Sequence, residues 1–265
     1  MKAIDLEKHM RGVGTWVDWD HTCDRFIIGD PETQVKGIAV GWQSRTEALR
    51  EAVEKGCNVF VTHEPTFYRH MDNNESVFEQ PAVAKKRDFI RDNGLVIYRC
   101  HDVWDQMPDV GIVDSWGAHL GFAKKLNSNV LHNVYESPAP TLGELAKHVA
   151  AQTSYLNQQY VEMVGDPDTK VSKVGIGCGA ITHYLKMLDL GADVLIGTDD
   201  GMRYWYSGAW ALDCGVPLIV VNHATAEEPG LKNMAGYIGR QFPDTKTVFI
   251  PQGCMFTVVK QRRDR

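Results

Sequence analysis

Imidazoles and carboxylates gather at a few points of this sequence, each time just after an apolar run. Residues 59–67 read V-F-V-T-H-E-P-T-F, so a short β-branched and aromatic run stops at His63 and Glu64. His101 and Asp105 follow the next such run, Asp199 and Asp200 a later one, and His223 with Glu227 the one after that. A lone histidine in such a place is usually structural, but four endings of this kind in one chain point to ligands for divalent ions. A mixed imidazole and carboxylate set suits zinc, iron or manganese and needs no thiolate. Two ions bridged by carboxylate and water would generate a hydroxide nucleophile near neutral pH and polarise a bound oxygen. His223 and Glu227 are four apart, as are His101 and Asp105, so each pair would share a face if its segment is helical. A zinc-protease H-E-x-x-H reading fails, because Phe67 takes the second histidine's place and Pro65 would spoil the helix.

Other polar motifs carry less. Gly175, Gly177 and Gly179 fit a tight strand-to-helix turn better than a dinucleotide loop, whose spacing they lack. The stretch R-Y-W-Y at 203–206 could stack a base beside a cation, but a buried helix face or a subunit contact is the expectation. His9, His21, His70, His119, His132, His148 and His183 have no partner pattern and are expected to be structural or exposed.

The ligand candidates need a scaffold that brings strand ends together. With 265 residues the chain has room for two ordinary domains or one large one. A net charge of −6 argues against broad nucleic-acid binding, and the basic end (Lys260, Arg262, Arg263, Arg265) reads as a solvated tail. The six cysteines include no C-x-x-C pair, no apolar run reaches a membrane span, and the first residues lack a signal-type apolar region. A cytoplasmic, reduced protein without membrane or nucleic-acid partners is expected.

Strands are expected at 35–42, 57–62, 95–100, 194–197, 218–221, 247–250 and 255–259, with a hairpin of 160–164 and 172–177. Helices are expected at 3–10, from Ser44 to Gly56, at 81–92, 114–126, 141–153, 182–190, 204–214 and 231–241. Ser44 with Glu47 and Thr141 with Glu144 each fit a capping box. A strand, a helix and a strand in series make the strands parallel. Residues 55–62 and 190–198 echo each other as helix end, glycine and buried strand. The fold class is therefore α/β: two similar halves with largely parallel sheets, divided near 128/129 with terminal segments free to cross over. Ligands in such sheets bind beyond the carboxyl ends of strands, which places a metal site at the cleft between the halves.

The ordered set T-H-E-P, H-x-x-x-D, G-A-D-V-L-I-G-T-D and N-H-x-x-x-E, spread from about residue 35 to 227 and beyond, resembles the Nif-three-like family. These are dinuclear metal-centre proteins, some labelled GTP cyclohydrolase I type 2. The resemblance implies a two-domain α/β protein in a ring-shaped homohexamer, with paired ions facing an internal cavity. Carried onto this sequence, it makes His63, Asp105, His223 and Glu227 metal ligands. Glu64 stands where a second, adjacent histidine is usual; a carboxylate there can still bind or bridge as a fifth metal ligand, and it favours a harder ion than zinc. His101 is then a support that orients Asp105 or bound water. The expected function is metal-dependent hydrolysis of a small phosphorylated or nucleotide-like molecule, with Glu64 or Glu227 able to take a proton. The rival expectation is a non-enzymatic, metal-binding hexameric adaptor or metal store; a dinucleotide enzyme using the 175–179 turn is a distant third.

Overall fold

The computed structural model describes residues 1–72, 75–180 and 182–259; the basic tail from Lys260 lies outside the described residues. In chain order the first strands are β1 (Arg25–Ile28), β2 (Ile38–Gly41), β3 (Val59–Thr62), β4 (Val96–Arg99), β5 (Lys125–Ser128) and β6 (His132–Glu136). They are followed by β7 (Glu162–Val164), β8 (Lys173–Gly177), β9 (Val194–Thr198), β10 (Leu218–Val221) and β11 (Thr247–Phe249). The helices are α1 (Ala3–Val13), α2 (Thr46–Glu54), α3 (Pro81–Asp92), the single turn α4 (Asp102–Asp105) and α5 (Ile112–His119). After them come α6 (Leu142–Thr153), α7 (Tyr184–Asp189), α8 (Ala209–Cys214) and α9 (His223–Gln241). None among the described residues is long and apolar enough to cross a membrane.

The chain divides into two compact units. The first is Met1–Trp116 with Glu227–Pro251, the second Gly117–Ala226 with the described residues from Gln252 on. The division falls at Trp116/Gly117, ahead of the 128/129 point read from the sequence, and α9 changes unit within its first turn.

In the first unit a five-stranded sheet runs β1-β4-β3-β2-β11. β11, β2, β3 and β4 are parallel, and β1 joins antiparallel. The crossovers are α2, whose Ala48, Leu49 and Ala52 are buried, and α3, which opens with Pro81 at its first position, where no donor is lost. Phe60, Leu49, Ile90 and Ile97 belong to the core between sheet and helices. In the second unit a six-stranded sheet runs β5-β6-β8-β9-β10-β7. Its β8, β9 and β10 are parallel, linked through α7 and α8, while β5, β6 and β7 pair antiparallel. Both units thus contain a parallel trio linked by helices, β2-β3-β4 and β8-β9-β10, each with its own apolar core. The α/β class with similar halves and parallel sheet centres is what the alternating pattern implied.

Several local expectations need correction. Ser44 does not cap α2; its N–H donates to Thr62 Oγ1 and its hydroxyl to Thr66 Oγ1, so tertiary partners took both groups from the box. The 160–164 and 172–177 segments form no hairpin, because β7 pairs with β10 and β8 with β6 and β9. The helix read at 114–126 ends at His119, and β5 follows after Gly121 (φ 72°) and Phe122. Residues 255–259 form no strand. Residues 204–208 are a π-helical turn, with Tyr204, Trp205 and Tyr206 exposed rather than on a buried helix face. Finally, α9 starts at His223, eight residues before the expected start at Leu231, and runs through Pro229 and Gly230. There Trp104 Nε1 donates to Gly230 O at 2.8 Å, and Ile112 leaves no room for a Cβ at Gly230.

The glycine run serves packing. A Cβ on Gly175 would meet Ala192 and Met187, and one on Gly177 would sit 2.9 Å from the His132 ring. His132, buried on β6, contacts Asn129 Oδ1 through Nδ1 and accepts from His183 N through Nε2, so the Nδ1–H tautomer is neutral and satisfied. Burial, with Lys186 and His183 nearby, pushes its pKa down to about 4.

Two predictions follow from these local arrangements. An NMR titration should show His132 neutral at pH 5 and charging only near 4, with stability falling as pH drops below the unfolded value of about 6.5. At α6, Thr141 Oγ1 accepts from Glu144 N at 3.3 Å, so Thr141→Ala should cost about 1 kcal/mol in denaturant unfolding.

Candidate metal centre

The candidate side chains stand at or just beyond the ends of the strands. β3 is wholly buried, and the chain leaves it at His63, itself fully buried. His63 Nδ1 lies 3.2 Å from the carbonyl oxygen of Cys100, just past the neighbouring β4. A carbonyl only accepts, so Nδ1 carries the hydrogen and Nε2 presents its lone pair. That lone pair faces Asp105 Oδ1 at 3.3 Å and Glu227 Oε2 at 3.4 Å. Asp105 closes the short turn α4, and Glu227 lies in the second turn of α9. Trp42, directly after β2, donates from Nε1 to Glu227 Oε2 at 2.8 Å and fixes that carboxylate. One ligand atom from each of His63, Asp105 and Glu227 lies within 4.8 Å of the others.

These separations fit a metal ion. Four ligands about 2.1 Å from a tetrahedral ion stand about 3.4 Å apart, and about 3.0 Å apart around an octahedral one. The two His63 contacts fall at the tetrahedral edge and are longer than good hydrogen bonds, which cluster near 2.9 Å. Electrostatics agree. Burial, the largest influence, and His101 work to lower the His63 pKa, yet Glu227 and Asp105 more than offset them and raise it. A pocket that raises the basicity of a fully buried imidazole is one that recruits positive charge.

The surroundings hold this group in place. Asp24, directly before β1, accepts from the backbone N–H groups of His101, Asp102 and Val103 at 2.7, 2.8 and 2.9 Å and so caps α4. His101 stacks on His63 with ring centres 4.4 Å apart and 12° between planes. Its Nδ1 is 2.9 Å from Asp102 Oδ1 and 3.3 Å from Asp105 Oδ2. Burial opposes charging of His101, but Asp105 and Asp102 raise its pKa well above the ordinary value. Through Nδ1, His101 is placed to orient Asp105. Glu64 Oε2 is 3.5 Å from Arg99 Nη2 and its Oε1 3.8 Å from His101 Nε2, and one ligand atom each of Glu64, His63 and His101 lies within 4.8 Å of the others. Arg99 is fully buried and also donates from Nε to His63 O at 2.9 Å and from Nη1 to His70 O. The extra negative charge of Glu64 therefore meets a buried guanidinium.

The second unit holds a further candidate residue. β9 ends at Thr198, and Asp199 and Asp200 follow; β10 ends at Val221, and His223 opens α9 one residue later. His223 Nδ1 is 2.7 Å from Asp200 Oδ2, and Asp199 accepts from His223 N at 3.1 Å and from Asn222 Nδ2 at 2.8 Å. Burial works to raise the Asp200 pKa, but the bond from His223 holds it below the usual range. A carboxylate on one imidazole nitrogen, which fixes the tautomer and turns the other outward, is the usual support for a metal-binding histidine.

The sequence pattern of the Duf34/NIF3 (NGG1p interacting factor 3) family matches residues 16–253. The chain belongs to this family. A Chlamydia pneumoniae protein named GTP cyclohydrolase 1 type 2 homolog is 23% identical over 257 residues, covering 93% of this chain and 97% of its own. A Clostridium perfringens protein of the same name is 23% identical over 212 residues, 77% of this chain and 78% of its own. The crystal structure of Staphylococcus aureus hypothetical protein SA1388 superposes with a TM-score of 0.79 at 17% identity, over 98% of this chain and 99% of that one, and shares the fold.

Within the NIF3 frame, the first unit brings together His63, Asp105 and Glu227, with Glu64 and His101 alongside, and the second holds His223 on Asp200. Sequence reasoning missed Asp24, Trp42, Arg99 and the role of Asp200. Only Arg99 left a signal, a cation inside the run L-V-I-Y-R-C. Protein purified without chelator should carry divalent metal by elemental analysis, and His63→Ala or Asp105→Asn should lose it. Asp200→Asn should weaken metal binding by about 10–100-fold.

Proposed function

We propose that this NIF3-family chain is a dinuclear metal-binding protein that hydrolyses a small phosphorylated or nucleotide-like substrate. The observation that carries the reading is the buried His63 Nε2 aimed between two carboxylate oxygens at 3.3 and 3.4 Å. His63, Asp105 and Glu227 are assigned as ligands in the first unit, and the Asp200-held imidazole of His223 is assigned the same role in the second. The ion identity that suits imidazole with carboxylate is zinc, iron or manganese, and two such ions are proposed. A divalent ion supplies, when bound, Lewis acidity that brings water's pKa toward neutrality and polarises a substrate oxygen. Trp42 keeps the Glu227 carboxylate in one orientation, and His101, with Nδ1 3.3 Å from Asp105 Oδ2, orients Asp105. Glu64 and Glu227 are the carboxylates assigned to accept a proton. The names of the Chlamydia and Clostridium relatives support a nucleotide-like substrate.

A second reading draws on the exposed Tyr204, Trp205 and Tyr206 and on the interacting-factor description of the family. In it the protein is a non-enzymatic, metal-binding adaptor or store. Both readings place a ring-shaped homohexamer in the cytoplasm. Metal-loaded protein assayed against a panel of nucleotides, phosphoesters and amides should turn over at least one member, and His223→Ala should abolish that turnover. No turnover across the panel, together with His223→Ala that loses metal but keeps function in cells, would sink the hydrolase. Solution mass should correspond to six copies.

A further inference from the structure

The stretch R-Y-W-Y at 203–206 is presented to solvent by a π-helical turn, leaving Tyr204, Trp205 and Tyr206 82%, 81% and 58% exposed. Leaving such rings in water forgoes the favourable free energy of burying them, and π turns concentrate at functional sites. The turn is anchored from below. Arg203 N donates to Ser207 Oγ at 3.2 Å, Ser207 N donates back to Arg203 O at 2.7 Å, and Ser207 and Gly208 are buried.

Beside this turn, within the second unit, lies a cavity of about 600 Å³ walled by Trp205, Tyr206, Trp210, Leu185, His183 and Arg203. Its size suits a small organic molecule. Several aromatic faces suit a planar ring, which they can stack without regard to its exact hydrogen-bonding edge. Charge narrows the class further. The chain carries a net −6, yet none of the described residues lining this cavity is acidic, and Arg203 and His183 are among them. Gly201 borders the same cavity, and the residue before it, Asp200, is the carboxylate that holds His223.

We infer that this cavity is a nucleotide-recognition pocket: a nucleobase stacks on Trp205 and its aromatic neighbours, and a phosphate is met by the guanidinium of Arg203. The inference rests on the nucleotide-like substrate class proposed above and names the residues that select it. Neither Trp205 nor Arg203 contributes a metal ligand, so the pocket can be tested apart from the metal.

The test is titration of the full chain, metal-loaded and chelator-treated, with guanosine and adenosine monophosphates, following tryptophan fluorescence and heat. Guanosine and ribose 5-phosphate serve as half-ligands. Nucleotides should quench fluorescence and bind at least tenfold more tightly than either half. Trp205→Ala should weaken binding by about tenfold or more, as loss of one stacking partner does, and Trp205→Phe should recover most of it. Arg203→Ala should lower affinity and flatten its salt dependence, with metal content unchanged in every variant. Nucleotide binding that is absent, or the same in Trp205→Ala and wild type, overturns the inference. So does a Trp205→Ala protein whose assembly mass falls while nucleotide affinity stays, because the aromatic patch would then be a contact between copies. Binding without turnover of any nucleotide would overturn the hydrolase and leave the pocket standing; turnover with unaltered Trp205→Ala binding would do the reverse.

Discussion

A fully buried imidazole with one nitrogen already donating to a carbonyl, and the other between two carboxylates, has to be balanced by positive charge. Burying carboxylates is costly unless they are paired, and one imidazole proton cannot satisfy two of them at once. His63 is in that position because β3 and β4 are parallel neighbours. The end of β3 supplies the ring, the end of β4 supplies the Cys100 carbonyl that sets its tautomer, and α4 folds Asp105 back toward it. Trp42, from the end of the next parallel strand, completes the arrangement by holding Glu227. The geometry therefore depends on strand register: a slip of one residue along β3 would swing His63 to the opposite face of the sheet.

The same logic is repeated in the second unit with different residues. Its parallel trio ends in Thr198, Asp199 and Asp200 on one strand and Asn222 and His223 on the next, and here a carboxylate rather than a carbonyl fixes an imidazole through Nδ1. Two sheets that differ in strand number and in their antiparallel additions use one device, a helix-linked parallel pair whose carboxyl ends carry polar groups. Such ends are where a sheet can offer side chains without breaking its own ladder. The loop beyond β9 goes further, since Asp200 supports His223 and the residues after it begin the aromatic wall.

The sequence disclosed the candidate residues and the parallel strands because both are local signals: apolar runs that end abruptly, and acids spaced four from a histidine. The runs behind β2, β3, β4, β9 and β10 are nearly uninterrupted, as strands buried on both faces must be. β1, β5 and β6 escaped notice because they are short and mixed in character, and pairing with a neighbour rather than their own pattern makes them strands. The start of α9 was hidden by Pro229 and Gly230, whose helix-breaking tendency is overruled by Trp104 and Ile112 from elsewhere in the chain. Asp24 and Trp42 reach the centre only through long-range contacts, which no spacing rule can display.

Arg99 gives the centre a further property. It lies wholly out of solvent, and the carboxylate it faces belongs to Glu64, at the position where the family resemblance leads one to expect histidine. Exchanging Glu64 alone for a neutral side chain would remove the carboxylate facing that guanidinium and leave it held by the His63 and His70 carbonyls. Exchanging Arg99 alone would strand the acid next to a site already rich in carboxylates. Positions 64 and 99 are thus coupled through charge, and the sign carried at one sets what the other faces.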